Sequence, residues 1–460
     1  MRLLHTSDWH LGRRLHGADL TDAHEAWVDH VVEVVRSERV DVVLVAGDVF
    51  DRAIPPVEAL ATWDRALAEV TAAGAAVVVS SGNHDSPHRL GAHAGLLAKA
   101  GVHVRCDPAR VAEPVVLHDA HGPVAFYPLP FLEPTTTAGT LARASQPGAD
   151  PVERVPRSQE GVVSRAAALA AAEARSAGRR RTVVLAHTWV AGVRPQDRSD
   201  SEREIGCCTA PPGGTPAAAP DGGRDDRGGG ARVGTVDRVA TDAFAGFGYT
   251  ALGHLHGPQV LSETLRYSGS PVAFSFSERH QAKGSWLVDL DAAGAVTVQR
   301  VPAPVHRRLS QLSGMLEQLL SDPAHGGVEA DHVKAVLTDA ARPADAMRRL
   351  QTRFPHAVAL EWAPQGRVPE LPYARRLAAA ADDTAVAVGF VAHVRGTEAT
   401  AAERTTLQAA FRAVSAEADE RVLAELALVD DEDVLADPQP ASRSRGTGSD
   451  GAASGRPGAA

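Results

Sequence analysis

The chain has 460 residues, enough at ~150 per domain for about three units, and its 44% apolar and 23% charged content excludes a disordered or fibrous protein. No apolar run approaches the ~20 residues of a membrane span, and three cysteines (Cys106, Cys207, Cys208) exclude a disulfide framework, the adjacent pair also lacking zinc-knuckle spacing. The net charge of −10 is uneven: residues 417–437 hold nine acids and one base, so the remainder is close to neutral and charge neither supports nor excludes a polyanionic substrate.

The start, MRLLHTSDWH, lacks the charged-then-apolar pattern of a signal peptide, and the expectation is a cytoplasmic protein with no membrane contact. RLLHTS (2–7) reads as a short strand, 20–38 as a helix with an apolar side, and VDVVLVAGD (40–48) as a buried strand ending in Gly-Asp. A helix over 56–73 opens after Pro55-Pro56, and AAVVVSSGNHD (75–85) is a second buried strand. Two short strands fall within 111–128, a helix over 161–178 by propensity, and a strand over RTVVLAHT (181–188). Residues 207–234 are Gly, Pro, Ala and charge without periodicity and read as a flexible insertion. A strand over 247–256 ends in His-Leu-His, and 260–301 alternates as antiparallel strands. Beyond 301 the pattern predicts a helix near 311–320, a strand near 331–338, a helix near 343–353 and a strand near 356–362. Residues 403–429 form an amphipathic helix, and the last ~20 residues are disordered by composition.

Continuous apolar strands between helices predict sheets covered on both faces, with ligands gathered at the strands' carboxyl ends. The polar signatures sit at those ends: Asp8-Trp9-His10, Gly47-Asp48 through Asp51-Arg52, Gly82-Asn83-His84-Asp85, His187, and Gly253-His254-Leu255-His256. Together they are a mixed nitrogen and oxygen donor set of the kind that suits Mn, Fe or Zn. Alternate residues of an extended segment point the same way, so Asp8 with His10, and His254 with His256, can each aim two donors at one place. Asp8, His10, Asp48, Asn83, His187, His254 and His256 are too many for one ion, and a carboxylate such as Asp48 can bridge two. Two metals ~3.5–4 Å apart are a known device for phosphoryl displacement. His84 is then the spare imidazole, suited to be a separate acid. Each fragment alone is weak evidence; Gly-Asn is also ordinary turn chemistry. All five in this order are specific.

That ordered set resembles the calcineurin-like metallophosphoesterase superfamily. The flanking text, HTSDWHLGR (5–13), VLVAGDVFDRAIPP (43–56), GNHDSPHRL (82–90), ALGHLHGPQ (251–259) and YSGSPVAFSF (267–276), is similar to the SbcD family of nuclease subunits, strongly over 1–300 and weakly to about 430. The resemblance implies an α/β fold, a four-layer α/β/β/α sandwich with a small α+β cap domain and a C-terminal helical segment. The boundaries are 1–300 (with the 207–234 insertion), 301–400 for a cap that faces DNA, 401–432 for a partner-binding helix and 433–460 for a disordered tail. It implies two Mn²⁺ ions, Mg²⁺ being an alternative. Asp8, His10, Asp48 and His256 would hold one ion, and Asp48, Asn83, His187 and His254 the other. His84 would be the catalytic acid and Asp51 the residue that orients it. The implied activity is a 3′→5′ exonuclease on duplex ends with a single-strand or hairpin endonuclease. The implied partners are DNA and the SbcC ATPase, in a heterotetramer, with a homodimer through the nuclease domain. SDSEREIG (199–206) departs from the family by running into the long insertion, where a short Gly-rich turn is usual.

The same metal core could serve a small-molecule phosphodiesterase or phosphatase, or survive as a scaffold without activity. Trp9 is read as packing under the metal strand rather than stacking on a base, and Asp85 as a turn residue. His5, His16, His24, His30 and His88 are read as exposed or hydrogen-bonded histidines without a part in the site.

Overall fold

The computed structural model describes residues 1–144, 154–192, 199–200, 202, 238–364, 382–395 and 398–414. The chain divides into two units, Met1–Gln365 and Gly366–Ala460.

In the first unit two six-stranded sheets stack face to face. One has the order β14-β13-β1-β4-β5-β6, and the other β11-β12-β10-β9-β8-β7. The strands of the first sheet are β1 (Arg2–Thr6), β4 (Val42–Ala46), β5 (Ala76–Ser80) and β6 (Val102–Arg105), all parallel, then β13 (Gly284–Leu290) and β14 (Val296–Pro302), antiparallel. In the second, β8 (Gly122–Leu129), β9 (Thr182–His187), β10 (Tyr249–Gly253) and β12 (Leu265–Tyr267) are parallel, flanked by antiparallel β7 (Val115–Asp119) and β11 (Gln259–Val260). The stretch 260–301 is therefore only partly antiparallel: β12 runs parallel to β10, and β13 and β14 belong to the other sheet.

Period-two alternation assigns every strand to two cores. In β4, Val42, Leu44 and Ala46 face the second sheet, packing with Val183, Leu185, Tyr249 and Ala251. Val43 and Val45 face outward with Trp27, Val28, Val31 and Trp63 from helices α1 (Thr21–Glu38) and α2 (Val57–Ala72). On the opposite side, Val184, Ala186 and Leu252 pack against α6 (Gln159–Ser176) and α5 (Pro134–Arg143). Two short helices, α3 (Pro87–Leu90) and α4 (Ala94–Leu97), lead into β6. The result is the expected α/β/β/α order of layers. Each fully buried valine or leucine contributes roughly 1.5–3 kcal/mol by leaving water, and the strands are nearly all such residues. Trp9 lies inside this core, edge-on to Trp27 and Trp63, as its packing role requires.

The small region after β14 alternates β15 (Leu309–Gly314), α7 (Leu316–Ser321), β16 (His332–Leu337), α8 (Ala346–Arg353) and β17 (Ala357–Trp362). All three strands are parallel. The periodicity places a helix near 311–320, but a strand fills Leu309–Gly314 and the helix starts only at Leu316, because Leu312 joins the sheet side of that core. A hairpin of β2 (Arg14–Leu15) and β3 (Ala18–Asp19) supplies Leu15 to a satellite cluster with Phe274, Phe276 and Ala359, which bridges the small sheet to the sandwich.

The second unit contains the helix Asp383–Arg395 and a helix over 401–414, where Arg395 pairs with Glu403 at 2.6 Å. The 207–234 insertion, the remainder of the 403–429 stripe and the acidic tail lie outside the described residues. No helix among the described residues is long and apolar enough to cross a membrane.

His24, on α1, is buried, and burial pulls its pKa down to about 4. Unfolded it would titrate near 6.5, so between those values the unfolded chain binds more protons. Stability from this group is whole above about pH 6.5 and falls by roughly 1.4 kcal/mol per pH unit below it. Melting temperatures of His24→Leu, followed from pH 7 to 4.5, should decline less steeply than those of the parent.

Candidate metal centre

Five parallel strands from both sheets deliver their carboxyl ends to one place. Ser7-Asp8 follows β1, Gly47-Asp48 follows β4, Gly82-Asn83 follows β5, His187 ends β9, and His254 follows β10. The main chain must turn sharply there. Asp8, His10, Asp48 and His254 all have positive φ (53°, 44°, 50° and 106°), a region sparsely populated by residues other than glycine. Cross-links hold the turns: the Asp8 N–H donates to the Gly47 carbonyl at 3.0 Å, and the His10 N–H to the Asp48 carbonyl at 3.0 Å. The glycines are packing requirements. A Cβ on Gly253 would overlap the Ala46 carbonyl oxygen, and one on Gly82 would overlap the Asp48 carboxylate.

The side chains converge in three overlapping groups that could hold a metal ion: Asp8–His10–His256, Asp8–Asp48–His187 and His10–Asp48–His84. Asp8 and Asp48 each belong to two of them, so two carboxylates are placed to be shared, where the spacing singles out Asp48. Asn83 and His254 join the second group: Asn83 Oδ1 lies 2.9 Å from His187 Nε2 and 3.3 Å from His254 Nδ1. The His254 main-chain N–H donates to both Asp8 oxygens, at 3.0 and 3.1 Å. All seven sequence-predicted donors are thus brought together, with His84 beside them.

Hydrogen-bond chemistry argues that this cluster is built for cations. His187 Nδ1 lies 2.9 Å from the Ala46 carbonyl, which only accepts, so Nδ1 carries the proton. Nε2, the atom left free to ligate, faces the Asp48 carboxylate at 3.3 Å as well as Asn83 Oδ1; against the lowering by burial, Asp48 raises His187 to about 9, so without a metal ion a proton sits on Nε2 between the two. On the other side, Glu278 accepts a hydrogen bond from His256 Nδ1–H at 3.1 Å, leaving Nε2 to face His10 Nε2 at 3.1 Å. His10 Nδ1 and His254 Nε2 are buried without hydrogen-bond partners. Lone pairs that face one another in a dry site are stable with a proton or a metal ion between them. The carboxylates show the same demand. Burial, reinforced by the charge on Asp48, pushes Asp8 up to about 8. Burial acts the same way on Asp48, but His187, His10 and His84 together outweigh it and hold Asp48 well below the usual carboxylate range. Burial drives His10 and His254 down, which keeps them neutral and able to ligate.

His84 donates its main-chain N–H to Asp48 Oδ1 at 2.8 Å, and its Nδ1 meets Asp51 at 2.7 Å. The Asp51 contact is made by the main-chain carbonyl oxygen. The Asp51 carboxylate instead pairs with Arg13 at 3.2 Å.

Several residues escape sequence reasoning. Asp85, read as a turn residue, is buried and its carboxylate accepts from the N–H groups of Gly82, Val49 and Phe50 at 2.9, 3.2 and 2.9 Å, clamping the β4 and β5 loops together. Glu278 accepts from His256, Ser199, the Phe274 N–H and Lys283. Glu202 accepts the His256 main-chain N–H at 2.8 Å. The SDSEREIG segment marks Ser199 and Glu202; nothing in the sequence marks Glu278. Among the unassigned histidines, His5 is buried between Tyr249 and the Leu252 carbonyl, while His16 and His88 are exposed.

Residues 1–136 match the family of calcineurin-like phosphoesterases. This part of the chain is a calcineurin-like metallophosphoesterase domain, and it contains four of the seven donors, Asp8, His10, Asp48 and Asn83, with His84 beside them. The family is one of dimetal phosphoester hydrolases, and the His and Asp groups here could bind metal. Among solved structures, the psychrophilic β-glucosidase BglU from Micrococcus antarcticus aligns at 15% identity over 43% of this chain and 43% of its own, with a TM-score of 0.17. The chain thus spans under half of that relative, and a likeness at this level carries no argument.

Glu278→Gln removes the charge that fixes His256 while keeping its volume. Loss of such a supporting contact costs about 10–100-fold in metal affinity, and calorimetric titration of the metal-free chain with Mn²⁺ should show a loss of that size.

Proposed function

We propose that the chain is a dimetal DNA nuclease of the SbcD type, hydrolysing phosphodiesters with two Mn²⁺ ions, Mg²⁺ being the alternative. The observation that carries the reading is the convergence of seven donors, all buried but the half-buried Asn83, beside the His84 imidazole, whose Nδ1 is held by the Asp51 carbonyl. Asp8, His10, Asp48 and His256 would hold one ion, and Asp48, Asn83, His187 and His254 the other. When bound, such ions activate water and neutralise charge on phosphate oxygens. The protein's own contribution is position and protons. The carbonyl of Asp51 keeps a proton on His84 Nδ1; the imidazolium form of His84 would then give its Nε2 proton to the departing ester oxygen and return to the neutral ring. Asp85 fixes the two loops that carry Asp48 and Asn83, and Glu278 fixes His256.

DNA as substrate, and SbcC as ATPase partner in a heterotetramer, rest on the resemblance of the flanking motifs over 1–300. The small parallel sheet after β14 is read as the cap that faces DNA, and the helix from 401 onward as the partner-binding element. A homodimer through the nuclease domain and a cytoplasmic location belong to the same reading. A second reading, a phosphodiesterase for small esters, shares every residue of the site.

Digestion of a 3′-end-labelled duplex by the full chain, with Mn²⁺, with Mg²⁺ and with EDTA, separates the two. Shortening in Mn²⁺ and none in EDTA is expected, with kcat lowered about 10²–10⁴-fold in His84→Ala and metal binding retained. Asp51→Ala keeps the carbonyl that orients His84, so its loss should be far smaller. Hydrolysis of a small diester with DNA left intact, even after SbcC is added, would overturn the nuclease reading.

A further inference from the structure

A cavity of about 730 Å³ opens beside the metal centre, on the flank away from His10 and His256. Asn83 and Asp85 form the wall it shares with the donor cluster, and Arg105, Cys106, Phe131 and Thr137 lie along the rest. The cavity belongs to the same edge of the fold: β6 is the parallel neighbour of β5, and Arg105 at its carboxyl end pairs with Ser80, just before the turn that presents Asn83. The volume suits one nucleotide, since small-ligand sites run from about 300 to 1,000 Å³.

Arg105 is the unusual member. It is half-buried, and its Nε is buried with no hydrogen-bond partner. Among the described residues it forms no ion pair, and the guanidinium makes one long hydrogen bond, 3.3 Å, to the carbonyl of the preceding residue, Val104. Burial lowers its pKa from the ordinary value, with Arg110 adding to the effect and Glu113 opposing it. The neighbouring acids are committed elsewhere: Asp85 to three main-chain N–H groups, Asp107 to the Ala109 N–H, Glu133 to Thr135, and Glu113 to Arg110. A guanidinium held in a half-dry pocket without an anion is costly, and its planar fork matches phosphate.

We propose that this cavity binds the nucleotide next to the scissile bond and that Arg105 binds the phosphate one nucleotide away. Arg105 is thereby the residue that favours substrates carrying a second phosphate over simple diesters. The inference rests on the phosphodiesterase reading of the site that the nuclease and small-ester readings above share, and names a substrate feature of that site. The second anion lies on the Asn83 side, and Phe131 offers an apolar wall to the sugar or base. Arg105 touches substrate without exchanging a proton, so it acts on binding and not on the chemical step.

The test compares a dinucleotide carrying a terminal 5′-phosphate, the same dinucleotide without it, and bis(p-nitrophenyl) phosphate, using the full chain with Mn²⁺. The parent should show a KM about 10-fold or more lower for the phosphorylated dinucleotide than for its unphosphorylated form. Arg105→Gln should abolish that difference, leave kcat within about twofold, and leave the simple diester unchanged; Arg105→Lys should restore part of the preference. Equal KM values for the two dinucleotides in the parent, or an equal loss on all three substrates in Arg105→Gln, would overturn the proposal while the phosphodiesterase reading stands. If no ester is hydrolysed, the phosphodiesterase reading fails. Calorimetric binding of the two dinucleotides to the metal-loaded parent and to Arg105→Gln then decides the role of Arg105 separately, with the same preference expected and its absence counting against the proposal.

Discussion

Two carboxylates and four imidazoles cannot share a dry site without a positive charge between them, and the fold is arranged around that constraint. Asp8 and Asp48 are both fully buried, and their environments push them apart: Asp8 upward by desolvation and by its neighbour's charge, Asp48 downward because His187, His10 and His84 together outweigh desolvation. Around them each ring has one nitrogen tied to the scaffold, His187 to Ala46 and His256 to Glu278, so the other nitrogen turns inward. The outer contacts therefore decide the chemistry of the inner atoms, which is how supporting residues tune metal sites generally.

The same constraint explains the backbone. Four of the gathered residues adopt positive φ, a strain of order 1–3 kcal/mol each that persists only when the surroundings over-determine it. Here the surroundings are two sheets that present their parallel strand ends to one another. The alternation of β4, β9 and β10 between an inner and an outer core locks the register, and a one-residue slip would turn every strand end away from the site.

Much of this was legible from residues alone. The buried runs 40–48 and 181–188 became strands within two residues, and 75–85 a strand over Ala76–Ser80 followed by the turn that carries Asn83 and His84, because a chain covered on both faces has to be apolar throughout. The donor set was legible because polar residues at the ends of such runs have few other reasons to be there. What stayed hidden was long-range or main-chain in nature. Glu278 meets His256 only after the chain has passed through β12 and a loop, and the partner of His84 is a carbonyl, which every residue possesses. Asp85 looked like turn chemistry because its three N–H partners lie on two loops that the sequence separates. The strand at Leu309–Gly314 was mistaken for helix because a short apolar run has no decisive period.

The donors are drawn from five strand ends, in two sheets and from residue 8 to residue 256. No local segment of the unfolded chain can reproduce that set, so affinity for a metal exists only where the two sheets are docked. Metal binding is then folding energy by linkage: an ion at a hundred times its dissociation constant adds about 2.7 kcal/mol to the docked state. Free metal concentration thereby becomes a thermodynamic control on the seam between the sheets, strengthening the long-range topology of the first unit without touching its hydrophobic layers.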